Sequence, residues 1–210
     1  MPCKRASSLN EHRQMWYLVS RPFAFAGIRH PNLAPFMFWG PLVLSAVLTL
    51  LFWLLPVQPK LVGEGSLSQH MISIFAILPG FFITAIAAVA TFNRPEMDEV
   101  MPEPAPELKL RTGIDESYVK LTSRIFTSHL FAYLTTLSFC AVFLFVTVDL
   151  TAPSVSFLVG KISSVAVRTT VTDAISISYF WIVTWFAAKI VLTTLIGLYF
   201  LAERMHRPHS

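Results

Sequence analysis

The chain has 210 residues, 54% of them hydrophobic, 13% aromatic and only 13% charged, with a formal net charge of +4. A soluble domain carries about 25% charged residues, so this composition argues against an ordinary water-facing fold. The positive balance sits in patches between long apolar runs and makes no case for direct nucleic-acid binding.

Residues 1–34 are read as a cytoplasmic head. Within it, "MWYLVSRPFAFAGIRHP" is too short and too charged to span a bilayer. An amphipathic segment lying in the interface fits, with Trp16, Tyr17, Phe23 and Phe25 dipping into lipid and Arg21 and Arg29 meeting phosphates. Pro22 should break or kink it. The competing reading is a collar packed on the helices.

A bilayer core of roughly 30 Å needs about 20 apolar residues as a helix, and four runs pass. The first span is residues 35–56, followed by an outer loop, 57–70. The second, 71–92, contains "LPGFFITAIAAVATF", which puts Gly80, Thr84 and Ala88 on one face at spacing four. Small residues so placed let helices approach closely, within the bundle or between copies.

Residues 93–124 form the main cytoplasmic loop. Glu96, Asp98, Glu99, Glu103 and Glu107 lie between Arg94 and Lys109 with no base among them. Pro95, Pro102, Pro104 and Pro106 favour an extended, polyproline-like path. Such an acidic strap is a candidate dock for a partner protein, or else a solvated connector. From Asp115 the pattern predicts a helix running without a break into the third span.

The third span is 125–148, interrupted only by His129. Residues 149–176 alternate Val and Phe with Ser and Thr around Gly160-Lys161, which predicts a small extracytoplasmic β-hairpin. A lone hairpin is marginal, so it should pair with other copies or pack on the bundle. The fourth span is 177–202 and the tail is 203–210. The fold class is therefore all-α polytopic membrane protein, four transmembrane helices with a β-hairpin-like cap.

Orientation follows from Lys and Arg. Twelve flank the head, the 93–124 loop and the tail, whereas the outer loops hold only Lys60, Lys161 and Arg168. Both termini should be cytoplasmic. No cleavable signal peptide is expected, nor a disulfide between Cys3 and Cys140.

No nucleophile elbow, zincin motif or phosphate-binding glycine loop is present. Glu203, His206 and His209 have metal-like spacing, but Pro208 intervenes, and neither a metal site nor a cofactor is expected. The unusual residue is Lys189, near the middle of the fourth span. An unshielded charge at mid-bilayer costs about 3 kcal/mol or more, and no Asp or Glu lies inside any span. Three arrangements stay open: a neutral amine, uncharged through desolvation; a lysine facing hydroxyls and carbonyls, with Thr135, Thr136 and Ser138 at similar depth in the third span; or a lysine lining a wet path.

Four spans without catalytic motifs, the loop "TFNRPEMDEVMPEPAPEL" and the closing "GLYFLAERMHR" resemble the KwaA-like membrane subunit of the Kiwa anti-phage defence system. The resemblance implies an inner-membrane sensor of infection, assembled as a homo-oligomer in the lipid bilayer, with a soluble cytoplasmic effector as partner. The expected function is thus a non-enzymatic sensor or scaffold subunit. The alternative is a small homo-oligomeric channel or transporter with Lys189 lining the path.

Overall fold

The computed structural model describes residues 21–31, 33–91, 95–112 and 115–206. Among them are four α-helices, α1 (Leu33–Leu54), α2 (Leu67–Thr91), α3 (Ser123–Gly160) and α4 (Val165–His206). Between α2 and α3 the chain forms a two-stranded antiparallel sheet, β1 (Glu107–Thr112) and β2 (Asp115–Lys120). Each helix is long and apolar enough to cross a membrane, and four such helices suggest a multi-pass membrane protein. In α1 the buried positions Met37, Pro41, Ser45 and Phe52 form one stripe, while Trp39 and Leu54 are 62% and 67% exposed. A helix that is apolar all round yet buried along one stripe suits an apolar solvent on its other faces.

The antiparallel pair α3–α4 is the centre of the bundle. α2 packs on α3 and α1 packs on α4, whereas α1 and α2, neighbours in the chain, share no comparable interface. Aromatic rings fill the core. Phe82 stacks on Phe131, Phe75 and Tyr179 flank Phe145, and Phe200 meets Phe126 edge-on. Gly197 sets the approach of α4 to α3. A Cβ there would lie 2.8 Å from Leu130 Cδ2 and 3.5 Å from Phe131 Cζ, both on fully buried side chains.

α1 and α4 are held in register by Gly40 against Leu192 and by Phe52 stacked on Phe180 at 4.1 Å. Lys189 is three residues before Leu192, so it lies level with Val43, near the middle of α1. At the far end, the 55–66 loop turns through Gly63 and Gly65, whose φ of 90° and 68° suits glycine. The Gly63 N–H donates to Asp149 Oδ1 at 2.8 Å and ties the loop to α3. α3 continues past Asp149 to Gly160, about 16 Å at helical rise.

The structure departs from the sequence expectation in two places. The hairpin expected over 149–176 is helix instead, with α3 running to Gly160, α4 starting at Val165 and a turn between. The strand preference of Val and Thr depends on context and yields to it here. Here the hydroxyls of Thr151, Ser156, Thr169, Thr170 and Thr172 all donate to carbonyls three or four residues back on their own helix. The α3 and α4 helices therefore extend well beyond the predicted 125–148 and 177–202.

Residues 115–120 differ as well. They form β2 and not the start of a helix; α3 begins at Ser123, where the Thr122 hydroxyl caps it by accepting from the Ile125 N–H. The register pairs Thr112 with Asp115, which leaves a two-residue connection, Gly113-Ile114. Glycine first in such a connection, between two alternating runs, is a hairpin signal. The sheet thus lies at the opposite end of the bundle from the one expected.

Candidate functional site

The most elaborated region outside the helices is a platform built on the β1–β2 hairpin. Its underside is apolar: Leu108, Leu121 and Met101 are buried in the core. A 3-10 turn, Arg21–Gly27, lies beneath it. Phe25 of this turn is fully buried, 5.5 Å from Phe126 and 5.7 Å from Tyr133. Phe25 therefore sits in the protein core, whereas Phe23 is exposed. Trp16 and Tyr17 lie outside the described residues.

Arg29 joins the sheet at one edge. Its N–H donates to the Glu107 carbonyl at 2.9 Å, and the Glu107 N–H returns a bond to the Arg29 carbonyl at 3.0 Å. The Arg29 guanidinium lies over the Tyr118 ring, 4.0 Å from its centroid, a cation–π contact. Arg21 reaches the Lys109 carbonyl at 3.4 Å. The two arginines expected as interfacial anchors are thus engaged by the hairpin.

Two of the strap's acids are held within the chain. Asp98 receives Arg124 Nε at 2.6 Å and Nη2 at 3.0 Å. The same guanidinium donates to the Val89 and Ala90 carbonyls at 3.0 and 3.4 Å. Arg124 at the start of α3 thus caps the end of α2 and fastens the strap to both. Glu103 pairs with Lys120 of β2 and accepts the Ala105 N–H at 3.1 Å. These bonds hold the Asp98 and Glu103 carboxyls below the usual carboxylate range, chiefly through Arg124 and Lys120 respectively, and hold the Lys120 ammonium above its usual value through Glu103. Glu99 is exposed and the Glu107 side chain half-buried. For Glu96 only the backbone, in the 3-10 turn Pro95–Met97, is described.

The antiparallel pattern identifies the free groups of β2. Glu107 points its N–H and C=O outward to Arg29, so its partner Lys120 also points outward from the ladder, and so does Tyr118 two residues away. Among the described residues nothing pairs with that outer edge along 115–120. An open strand edge is a template for an added strand.

Lys189 meets a carbonyl, as one of the open arrangements allowed, but on α1 and not beside the α3 hydroxyls. Its ammonium donates to the Met37 carbonyl at 2.6 Å. Met37 is four residues before Pro41, and a proline inside a helix has no N–H to give that carbonyl. Lys189 supplies the missing donor, and its stem runs from the level of Val43 toward the start of α1. The hydroxyls of Thr135, Thr136 and Ser138 instead bond the carbonyls of Phe131, Ala132 and Leu134 on their own helix. The His129 ring nitrogen Nδ1 meets the Ile125 carbonyl at 2.9 Å.

On α2, Gly80 faces open space and Thr84 bonds back to its carbonyl, while Ala88 is half-buried. The helix packs on α3 through Phe75, Phe82 and Val89, so the Gly80–Thr84 face is not its packing face. Glycine spacing pointed to Gly80, whereas the close contact is at Gly197. Among the described residues no group of three or more His, Cys, Asp or Glu is placed to hold a metal. Comparison with protein-family models, curated proteins and solved structures gives no match for the chain.

Proposed function

We propose that this chain is a non-enzymatic integral membrane sensor or scaffold subunit whose hairpin platform recruits or regulates a cytoplasmic partner, in anti-phage defence as the Kiwa resemblance implies. The hairpin end carries most of the flanking Lys and Arg, which supports a cytoplasmic, inner-membrane orientation. The observation that carries the reading is the open outer edge of β2 on a platform fastened to the ends of α2 and α3 by Arg124. A partner strand added there would be mechanically linked to the helices through that residue. Assembly into a homo-oligomer is part of the same reading. Lys189, held by Met37, supports a structural role and gives the channel reading no added weight.

The test is recovery of the partner from solubilised membranes, read by mass spectrometry. Tyr118→Pro removes an outward N–H and no ladder bond, while Tyr118→Ala removes the ring and keeps the N–H. Loss of the partner with proline and retention with alanine is expected, and protection against phage should follow the same pattern. Equal recovery with both variants and the parent would remove the strand edge from the proposal. Charge reversal at Glu99 tests the acidic strap separately, because this residue is exposed and lies outside the two ion pairs described above.

A further inference from the structure

The outer extensions of α3 and α4 enclose a cleft of about 540 Å³ between themselves and the 55–66 loop. Its walls are largely apolar, including Val148, Val155, Val159 and Ile175. Cavities of this size and lining, with a few polar groups, are typical of small-molecule sites. Polar groups stand at its two ends. Arg168 lies at the exposed mouth, and its side chain has no ion pair or hydrogen bond among the described residues. Tyr179 closes the inner end; it is 8% exposed, and its buried hydroxyl makes no hydrogen bond among the described residues. Ser68 is likewise buried with an unbonded hydroxyl. Eleven residues separate Arg168 from Tyr179 on one helix, about 16 Å.

We infer that this cleft binds a free, single-chain amphiphile with one anionic group, the anion at Arg168 and the apolar chain running inward toward Tyr179. Arg168 is the one charged residue lining it, so charge complementarity selects an anion. The ring of Tyr179 meets Phe145, so eleven residues outward Arg168 lies level with Ser156, seven residues beyond Asp149 and the loop tied to it. That is about 10 Å. A bilayer matched to α1 has its headgroups near that loop, which favours a free amphiphile over an embedded phospholipid. This last step rests on the membrane placement proposed above, whereas the cleft and its charge do not.

The experiment uses the full chain in nanodiscs of phosphatidylcholine, with dansylaminoundecanoate as the fluorescent probe and empty nanodiscs subtracted. Saturable binding is expected, displaced by palmitate and much less by hexadecanol, which has the chain without the anion. Arg168→Gln should weaken binding about tenfold or more, the scale of a lost charged hydrogen bond, with Arg168→Lys retaining part of it. Val155→Trp fills the cleft from a partly exposed position, leaves the charge in place and should abolish binding; elution of the protein as a single peak shows that it is folded. Absence of saturable binding, unchanged binding in Val155→Trp or equal displacement by palmitate and hexadecanol would each overturn the inference. Displacement of the probe by phosphatidylglycerol in the nanodisc, and not by palmitate, would also overturn it in favour of an embedded lipid. None of these readings involves the cytoplasmic partner, so failure here leaves the strand-edge proposal intact, and the reverse.

Discussion

The ammonium of Lys189 donates to the carbonyl of Met37, 2.6 Å away and 152 positions earlier in the chain. It occupies the place of the N–H that Pro41 lacks. Lys189→Met should therefore lower thermal stability in detergent by about 1–3 kcal/mol, the scale of a buried carbonyl left without a donor. Pro41→Ala restores that donor within α1, so the lysine substitution should cost much less in the alanine background. Melting the parent, both single variants and the double variant completes the cycle; strictly additive effects would show the two positions to be uncoupled.

The two glycines should respond in opposite directions. Gly197→Ala drives a methyl to 2.8 Å from Leu130 in the core. Overpacking of this kind costs about 1–3 kcal/mol, more than the gain of at most about 1 kcal/mol from replacing glycine in a helix. Gly80→Ala meets nothing within 4 Å and should leave stability level or raise it. Thermal melts of the two variants side by side decide this.

The hairpin should loosen at both extremes of pH. Asp98 and Glu103 have lowered folded-state values, so their contribution is present above the unfolded-chain range near about 4 and is lost as pH falls through the lower folded values. Lys120 is raised from 10.5, so its contribution is complete below that value and is lost as pH rises through the folded one. Hydrogen exchange at β1 and β2 should be slowest between these limits. Glu103→Gln should abolish most of the alkaline dependence, which Lys120 derives from Glu103.

Topology is read by cysteine labelling in intact cells, with Cys3 and Cys140 first replaced by serine. A cysteine at Ser163, exposed in the turn between α3 and α4, should react with an impermeant maleimide. One at Glu99, exposed in the strap, should react only after permeabilisation. The reverse pattern would place the hairpin platform outside the cell.

The four helices were legible because apolar runs of spanning length leave few alternatives. Their outer ends were not, because β-branched Val and Thr suit a strand by shape, while Thr and Ser also suit a helix once their hydroxyls bond back along it, as at Thr151 and Thr172. The hairpin at 107–120 is less legible because Asp115 also suits a helix cap, which competes with the turn signal of Gly113. Lys189 was singled out from the sequence, but its acceptor was not. Pro41 creates that acceptor, and its pairing with residue 189 depends on which helices touch. The same is true of Gly197 and of Arg124, whose partners on α2 and the strap lie 26 to 35 positions away.

The separation of α1 from α2 bears on how the protein is made. α1 is synthesised first, and its packing partner, α4, is synthesised last. At about 5–20 residues per second, the 152 positions from Met37 to Lys189 correspond to about 8–30 s of translation. On the membrane placement proposed above, α1 spends that interval in the bilayer with its Pro41 gap open and its contact stripe uncovered. On the same placement, release of the packed bundle from the insertion machinery should await α4, and a nascent chain stopped after α3 would present α1 as an orphan for quality control.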